Sequence, residues 1–207
     1  MSEKPIIFSG PMVRAILEGT KTQTRRVVKP QPPETHVICG VNDFFWLEGK
    51  SEPGGCPETT CPHGQPGDRL WVRETHSFWC HSIEAVGVEY AAGGEDKIVE
   101  FPHKVGMPSL AVQLRRNRDG ARKKRPSIYM PRWASRLTLE ITAVRVERLR
   151  DISEEDAKAE GCARTEDEHG IYSATVAYCE LWESIHGAGS WALNPWVWVI
   201  EFRRVES

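Results

Sequence analysis

The closing segment Trp196-Val197-Trp198-Val199-Ile200-Glu201-Phe202, set off by Asn194-Pro195, constrains the fold most. A run so rich in β-branched and aromatic side chains reads as a strand buried on at least one face. A second strand is predicted where Leu137, Leu139 and Ile141 alternate with Thr138, Glu140 and Thr142. Val144 and Val146 resume its apolar face after a shift at Ala143, the signature of a bulge. Behind the turn signal Pro66-Gly67-Asp68, the stretch Arg69-Leu70-Trp71-Val72-Arg73-Glu74 alternates in the same way.

Helical signals fall between these strands and are short. One helix is predicted after Ser9, with Pro11 in its first turn, Met12, Val13, Ile16 and Leu17 apolar, and a stop at Gly19. Lys21 to Val28 then reads as a turn leading into a strand. Ser153-Glu154-Glu155-Asp156 is close to a capping box for a helix ending at Gly161. A third helix is expected over about 172–186, with Val176, Leu181, Trp182 and Ile185 on its apolar side. Strands and short helices without regular βαβ alternation disfavour a parallel sheet. The expected fold is α+β, a small mixed barrel with flanking short helices, interrupted by irregular insertions at about 29–67 and 80–127.

Length and charge bound the rest. A chain of 207 residues fits one domain, 1–207, and is long enough to bury a core without a staple or metal. With 27 basic and 29 acidic side chains and a net charge of -2, it is not basic throughout, although charge can be segregated locally. No apolar run approaches the roughly 18 residues that span a bilayer, and the N-terminus lacks a signal-peptide core, so a cytoplasmic protein without a membrane partner is expected. In that compartment the six cysteines are expected as reduced thiols.

Several residues stand out chemically. Glu160 places an anion in the last turn of the second predicted helix, where it opposes the helix dipole, so helix propensity does not account for it. The second insertion ends in a basic run, Arg115, Arg116, Arg118, Arg122, Lys123, Lys124 and Arg125, followed by Arg132, Trp133 and Arg136. Cations beside an aromatic ring suit phosphate contact with base stacking, and the bland alternative is a solvated loop. Cys56, Cys61 and His63 are soft ligands at close spacing, which Cys39 or the Cys80-His81 pair could complete as a structural zinc site. Reduced, partly buried thiols are the alternative, and no cofactor is required. No pair of carboxylates or histidines marks a nuclease site.

The ordered series Gly19-x-Lys21-Thr22-x-Thr24-x-Arg26, Pro66-Gly67-Asp68-x-Leu70-x-Val72, Asp151-Ile152-Ser153-Glu154-Glu155-Asp156-Ala157-x-Ala159-Glu160-Gly161 and the terminal Trp-Val-x-Val-Ile-Glu-Phe strand resembles the ASCH family. With Met130-Pro131-Arg132-Trp133-Ala134-Ser135-Arg136 it is similar to the longer phage and prophage members. The resemblance implies a PUA-like barrel and a partner that is RNA, another nucleic acid or a modified nucleoside. One small bacterial branch hydrolyses the amide of N4-acetylcytidine with a Lys and a Thr spaced as Lys21 and Thr24 and a Glu matching Glu160. The resemblance therefore implies an amidohydrolase in which Thr24 is the nucleophile, a desolvated Lys21 accepts its proton, and Glu160 orients Lys21 or protonates the leaving amine. In an extended segment a spacing of three puts side chains on opposite faces, so convergence of Lys21 and Thr24 requires a turn. The alternative is a non-catalytic RNA-binding module in which Lys21, Arg25 and Arg26 contact phosphate. A ribonuclease is a third reading.

Overall fold

Alternation of side chains along the chain produces thirteen strands among the described residues, joined by short helical segments. In order they are β1 (Glu3–Ile7), α1 (Gly10–Leu17), β2 (Gln23–Val27), β3 (Val37–Cys39), β4 (Phe44–Leu47), β5 (Glu58–Thr59), β6 (Arg69–Arg73), β7 (His76–Cys80), β8 (Ala85–Tyr90), β9 (Lys97–Glu100), β10 (Thr138–Arg148), α2 (Glu154–Ala159), β11 (Thr165–Asp167), β12 (Gly170–Tyr172), α3 (Ala174–His186) and β13 (Trp196–Val205). The structure, a computed structural model, describes residues 2–31, 37–39, 44–47, 58–82, 85–100, 123–163, 165–167 and 170–205. This is an α+β fold. No sheet closes into a barrel among the described residues, which leaves the expected small mixed barrel unconfirmed by the α+β architecture. Among the described residues no helix is long and apolar enough to cross a membrane.

The chain divides into two compact units, one made of Met1–Ser2, Glu18–Arg69 and Glu140–Arg203, the other of Glu3–Leu17, Leu70–Leu139 and Arg204–Ser207. In the first, the strand order is β10-β13-β2, with β13 antiparallel to β2 and Ile200 opposite Thr24. Its core gathers Leu149, Ile152, Ala157 and Cys162 with Ala174, Tyr178 and Trp182 of α3 and Val197 and Val199 of β13. Both helices of this unit start on serine caps: Ser153 Oγ accepts from Asp156 N–H at 3.0 Å and Ser173 Oγ from Val176 N–H at 3.3 Å. The carboxylate of Glu154 also accepts from the N–H groups of Ala174 at 2.8 Å and Thr175 at 3.3 Å. The first residue of α2 thus satisfies two of the orphan donors of α3. The turn at Pro66-Gly67-Asp68 forms as expected, with Gly67 at φ +90° and the Asp68 N–H bonded to the Gln65 carbonyl at 2.9 Å.

In the second unit β1 lies beside β6, and β7, β8 and β9 form an antiparallel meander. Phe78, Val86, Val88, Tyr90, Met130 and Ala134 make its core. Where the sequence predicts an irregular insertion from about residue 80, the structure builds β8 and β9. Gly87 is the reason the pattern was hidden. It sits opposite Trp79, and a Cβ at that position would lie 2.1 Å from the indole, so the glycine that breaks the β-signal makes room for the ring of its partner strand.

The long strand predicted from residue 137 is β10, and burial of Leu139 and Ile141 followed by Val144 reproduces the expected shift of face.

Candidate functional site

The site begins with a reversal of the chain. Gly19 adopts φ +77°, a conformation that costs a glycine little, and delivers Lys21 antiparallel to Glu160 in an isolated backbone bridge. Next to it Thr22 N–H donates to the Ala159 carbonyl and Phe202 N–H donates to the Thr22 carbonyl, both at 2.8 Å. Residues 21 and 22 are therefore stitched to the end of α2 on one side and to β13 on the other. Glu160 caps α2 with its own N–H on the Asp156 carbonyl at 2.9 Å, and Gly161, at φ +87°, turns the chain away.

Side chains complete what the backbone starts. Lys21 Nζ donates to Glu160 Oε2 at 2.5 Å and to the Glu160 carbonyl oxygen at 2.9 Å. The other carboxylate oxygen, Oε1, accepts from Arg25 Nη1 at 3.3 Å. Lys21 and Glu160 are only 2% and 3% exposed. The anion that opposed the α2 dipole in the sequence is thus held by two cations, which is why it is tolerated there. Burial pushes the Lys21 ammonium below its ordinary range, against the opposing pull of Glu160. The nearby Cys162 thiol is pushed up to about 11, first by burial and then by the Glu160 charge. Burial and the same charge push the Tyr178 hydroxyl up as well.

Arg25 is fixed from behind. Its Nη2 donates to Glu147 Oε1 at 2.5 Å and to Asp156 Oδ2 at 3.1 Å, and its Nε donates to Glu147 Oε1 at 3.1 Å. Arg145 continues the chain of charges, donating to Glu147, to both oxygens of Asp156 and to Glu201. Gln23 Nε2 donates to the Asp156 carbonyl at 2.6 Å and to Asp156 Oδ1 at 3.1 Å. Burial works against ionisation of Asp156, yet the hydrogen bond from Gln23 and the Arg145 and Arg25 cations hold its carboxyl below the usual range.

Of the three expected catalytic residues, the structure joins Lys21 and Glu160 directly. Thr24 is buried on β2 at 1% exposure. By strand alternation it faces away from Gln23 and Arg25, the two β2 residues that reach Asp156. The turn falls at Gly19, ahead of both Lys21 and Thr24. Arg26 is half-buried and donates to the Arg25 carbonyl at 3.2 Å.

The residues expected to hold nucleic acid lie as follows. Lys123 and Lys124 are exposed. Arg125 lies with its guanidinium 5.2 Å from the Phe78 ring centroid while its backbone bridges His76. Trp133 stacks on Phe78 at 5.1 Å, so one face of its ring is already used. Arg132 forks onto Glu3 at 2.8 and 2.6 Å. Arg136 forks onto the buried Glu74 at 2.9 and 3.0 Å and lies 4.0 Å above the Tyr90 ring. Arg132 remains exposed beside Glu3, Trp133 is half-buried, and only the Arg136 fork reaches a buried carboxylate.

Arg122 and Cys56 lie outside the described residues. Cys61 is buried and His63 half-buried, and no group of three or more His, Cys, Asp or Glu suited to a metal occurs among the described residues.

Sequence reasoning missed Glu147, Asp156, Arg145 and Gln23 as supports of the site, and Tyr178 and Cys162 as its neighbours. Only Glu160 carried a local signal, its unfavourable place at a helix end. No protein-family model, curated protein or solved structure was found to match the chain.

Proposed function

We propose that this chain is an ASCH-type, PUA-like protein that recognises a nucleobase and hydrolyses the amide of an N4-acylated cytidine. The observation that supports the reading most is the water-excluded pair of Lys21 and Glu160, joined at 2.5 Å. Water exclusion lowers the proton affinity of an ammonium, and a lysine able to lose its proton is what an amide-cleaving site needs as a base.

In this reading Lys21 takes the proton from the Thr24 hydroxyl as its oxygen adds to the acyl carbon. The tetrahedral intermediate collapses with cleavage of the C–N bond, and the leaving amine receives a proton through the Lys21–Glu160 pair. Water then cleaves the Thr24 ester, releasing the carboxylic acid and regenerating the hydroxyl. The threonine route rests on the resemblance, since strand alternation turns Thr24 away from the β2 face that reaches α2. Lys21 serves equally as the base for a water molecule that attacks the acyl carbon directly, and the variants below separate the two routes.

The test is incubation of the purified protein with N4-acetylcytidine and a small panel of other acylated nucleosides, with products read by chromatography. Turnover abolished in Lys21→Ala and Glu160→Ala is the expected result. Loss in Thr24→Ala as well assigns the threonine as nucleophile, and retention there assigns water. No turnover on any substrate would overturn the hydrolase.

The exposed Lys123 and Lys124 favour a second reading, a binding-only module for nucleic acid. It requires salt-sensitive binding that survives Lys21→Ala, with a salt slope reduced by about one unit for each phosphate-contacting cation removed.

A further inference from the structure

Glu160 is shared between a cation that can discharge and one that cannot. An ammonium in a buried site gives up its proton readily, whereas a guanidinium stays charged throughout the accessible range. Lys21 reaches Oε2 at 2.5 Å and Arg25 reaches Oε1 at 3.3 Å. If Lys21 alone faced Glu160, losing its proton would strand a buried carboxylate, and the pair would hold that proton tightly. With Arg25 in place the carboxylate keeps a counter-ion when Lys21 becomes neutral.

We propose that Arg25 is the permanent counter-cation of Glu160 and that this is what releases Lys21 to act as a base. Arg25 is thus a positioning residue that acts through Glu160. The proposal deepens the amidohydrolase reading and rests on it for its catalytic meaning, although its electrostatic content concerns Lys21 directly.

The surroundings fit this division of labour. Lys21 is faced by Glu160, Arg26 and Cys162. The charge of Glu160 is felt by Arg25, Arg26, Cys162 and Tyr178 as well as by Lys21. Behind Arg25 stand Glu147 from β10 and Asp156 from α2, and behind them Arg145, which also reaches Glu201 of β13. The acids behind Arg25 fix the guanidinium in position, and Arg145 shares their charge, so that Arg25 remains available to Glu160. Arg26 adds a second cation near both groups.

The test is a titration of Lys21 itself. Protein labelled with 13C-lysine is followed by the Cε resonance of Lys21, assigned by its loss in Lys21→Met. In the unaltered protein Lys21 is expected to titrate below the exposed lysines. A midpoint at or above theirs would overturn the proposal without any Arg25 variant. In Arg25→Met, which removes the charge and retains bulk, the midpoint should rise by about one to three units. Arg25→Lys, which keeps a cation, should return most of that shift. An unchanged or lowered midpoint in a folded Arg25→Met protein would overturn the proposal, as would a rise in Arg25→Lys equal to that in Arg25→Met.

If turnover is found, the pH at which activity appears should move upward with the Lys21 midpoint. Absence of turnover with the expected titration would sink the hydrolase and leave the counter-ion role standing. Turnover with no Arg25 effect on Lys21 would do the reverse.

Discussion

Lys21 and Glu160 face each other across an antiparallel bridge, and the lysine ammonium bonds both the carboxylate, at 2.5 Å, and the carbonyl, at 2.9 Å, of the same residue. Two independent bonds to one residue fix the pair more firmly than a side-chain ion pair alone. Neither group has solvent to fall back on if its partner is removed.

Removing one member should therefore cost more than removing both. Glu160→Ala leaves Lys21 and Arg25 without their shared anion and is expected to lower stability by about 3–5 kcal/mol. The double variant Lys21→Met/Glu160→Ala should recover much of that loss relative to Glu160→Ala. Urea denaturation of the two single variants and the double variant measures the coupling, and strictly additive losses would contradict it.

Cys162 makes a pH prediction. Its thiol is raised from an ordinary 9.0 to about 11 in the folded protein. A raised acid binds its proton more tightly when folded, so its contribution is fully present below 9.0 and is lost as pH climbs toward about 11. Cys162→Ala should flatten the alkaline fall in unfolding free energy over that window. Tyr178 acts in the same sense at higher pH.

The fork of Arg136 onto buried Glu74 predicts a stability phenotype. Burial raises the Glu74 carboxyl, and Arg136 counters it. Arg136→Ala should lower the thermal midpoint well beyond Lys124→Ala, by the equivalent of about 3 kcal/mol or more, because it strands a buried carboxylate. Equal melting of the two variants would argue against the internal role.

Gly87→Ala tests the approach of Trp79. The added methyl would meet the indole at 2.1 Å, so the half-buried ring has to shift. A loss of about 1–3 kcal/mol is expected by urea denaturation, with rescue in Trp79→Leu/Gly87→Ala.

What could be read from sequence follows from how local each signal is. β10 and β13 were legible because alternation is written into neighbouring residues, and α2 because Ser153 and Gly161 bracket it. β8 was not, since Gly87 serves a residue on another strand. The bond between Lys21 and Glu160 spans 139 positions, and nothing in either neighbourhood specifies it. Only the family resemblance put those two residues together. Arg25 shows the remaining difficulty: beside Arg26 it looks like a solvent-facing cation, and its three acidic partners come from segments more than a hundred residues away.

α2 is also held at both ends. Six residues are too few to persist as an isolated helix. Here the first, Glu154, receives the N–H groups at the start of α3, and the cap, Glu160, is bonded to Lys21. Such a segment has no partial melting route: releasing either end exposes donors or charges that only the intact arrangement satisfies. In hydrogen exchange, the amides of Thr22, Glu160, Gly161 and Ala174 should therefore open together as one cooperative block, and the lysine should reach solvent only when that whole block does.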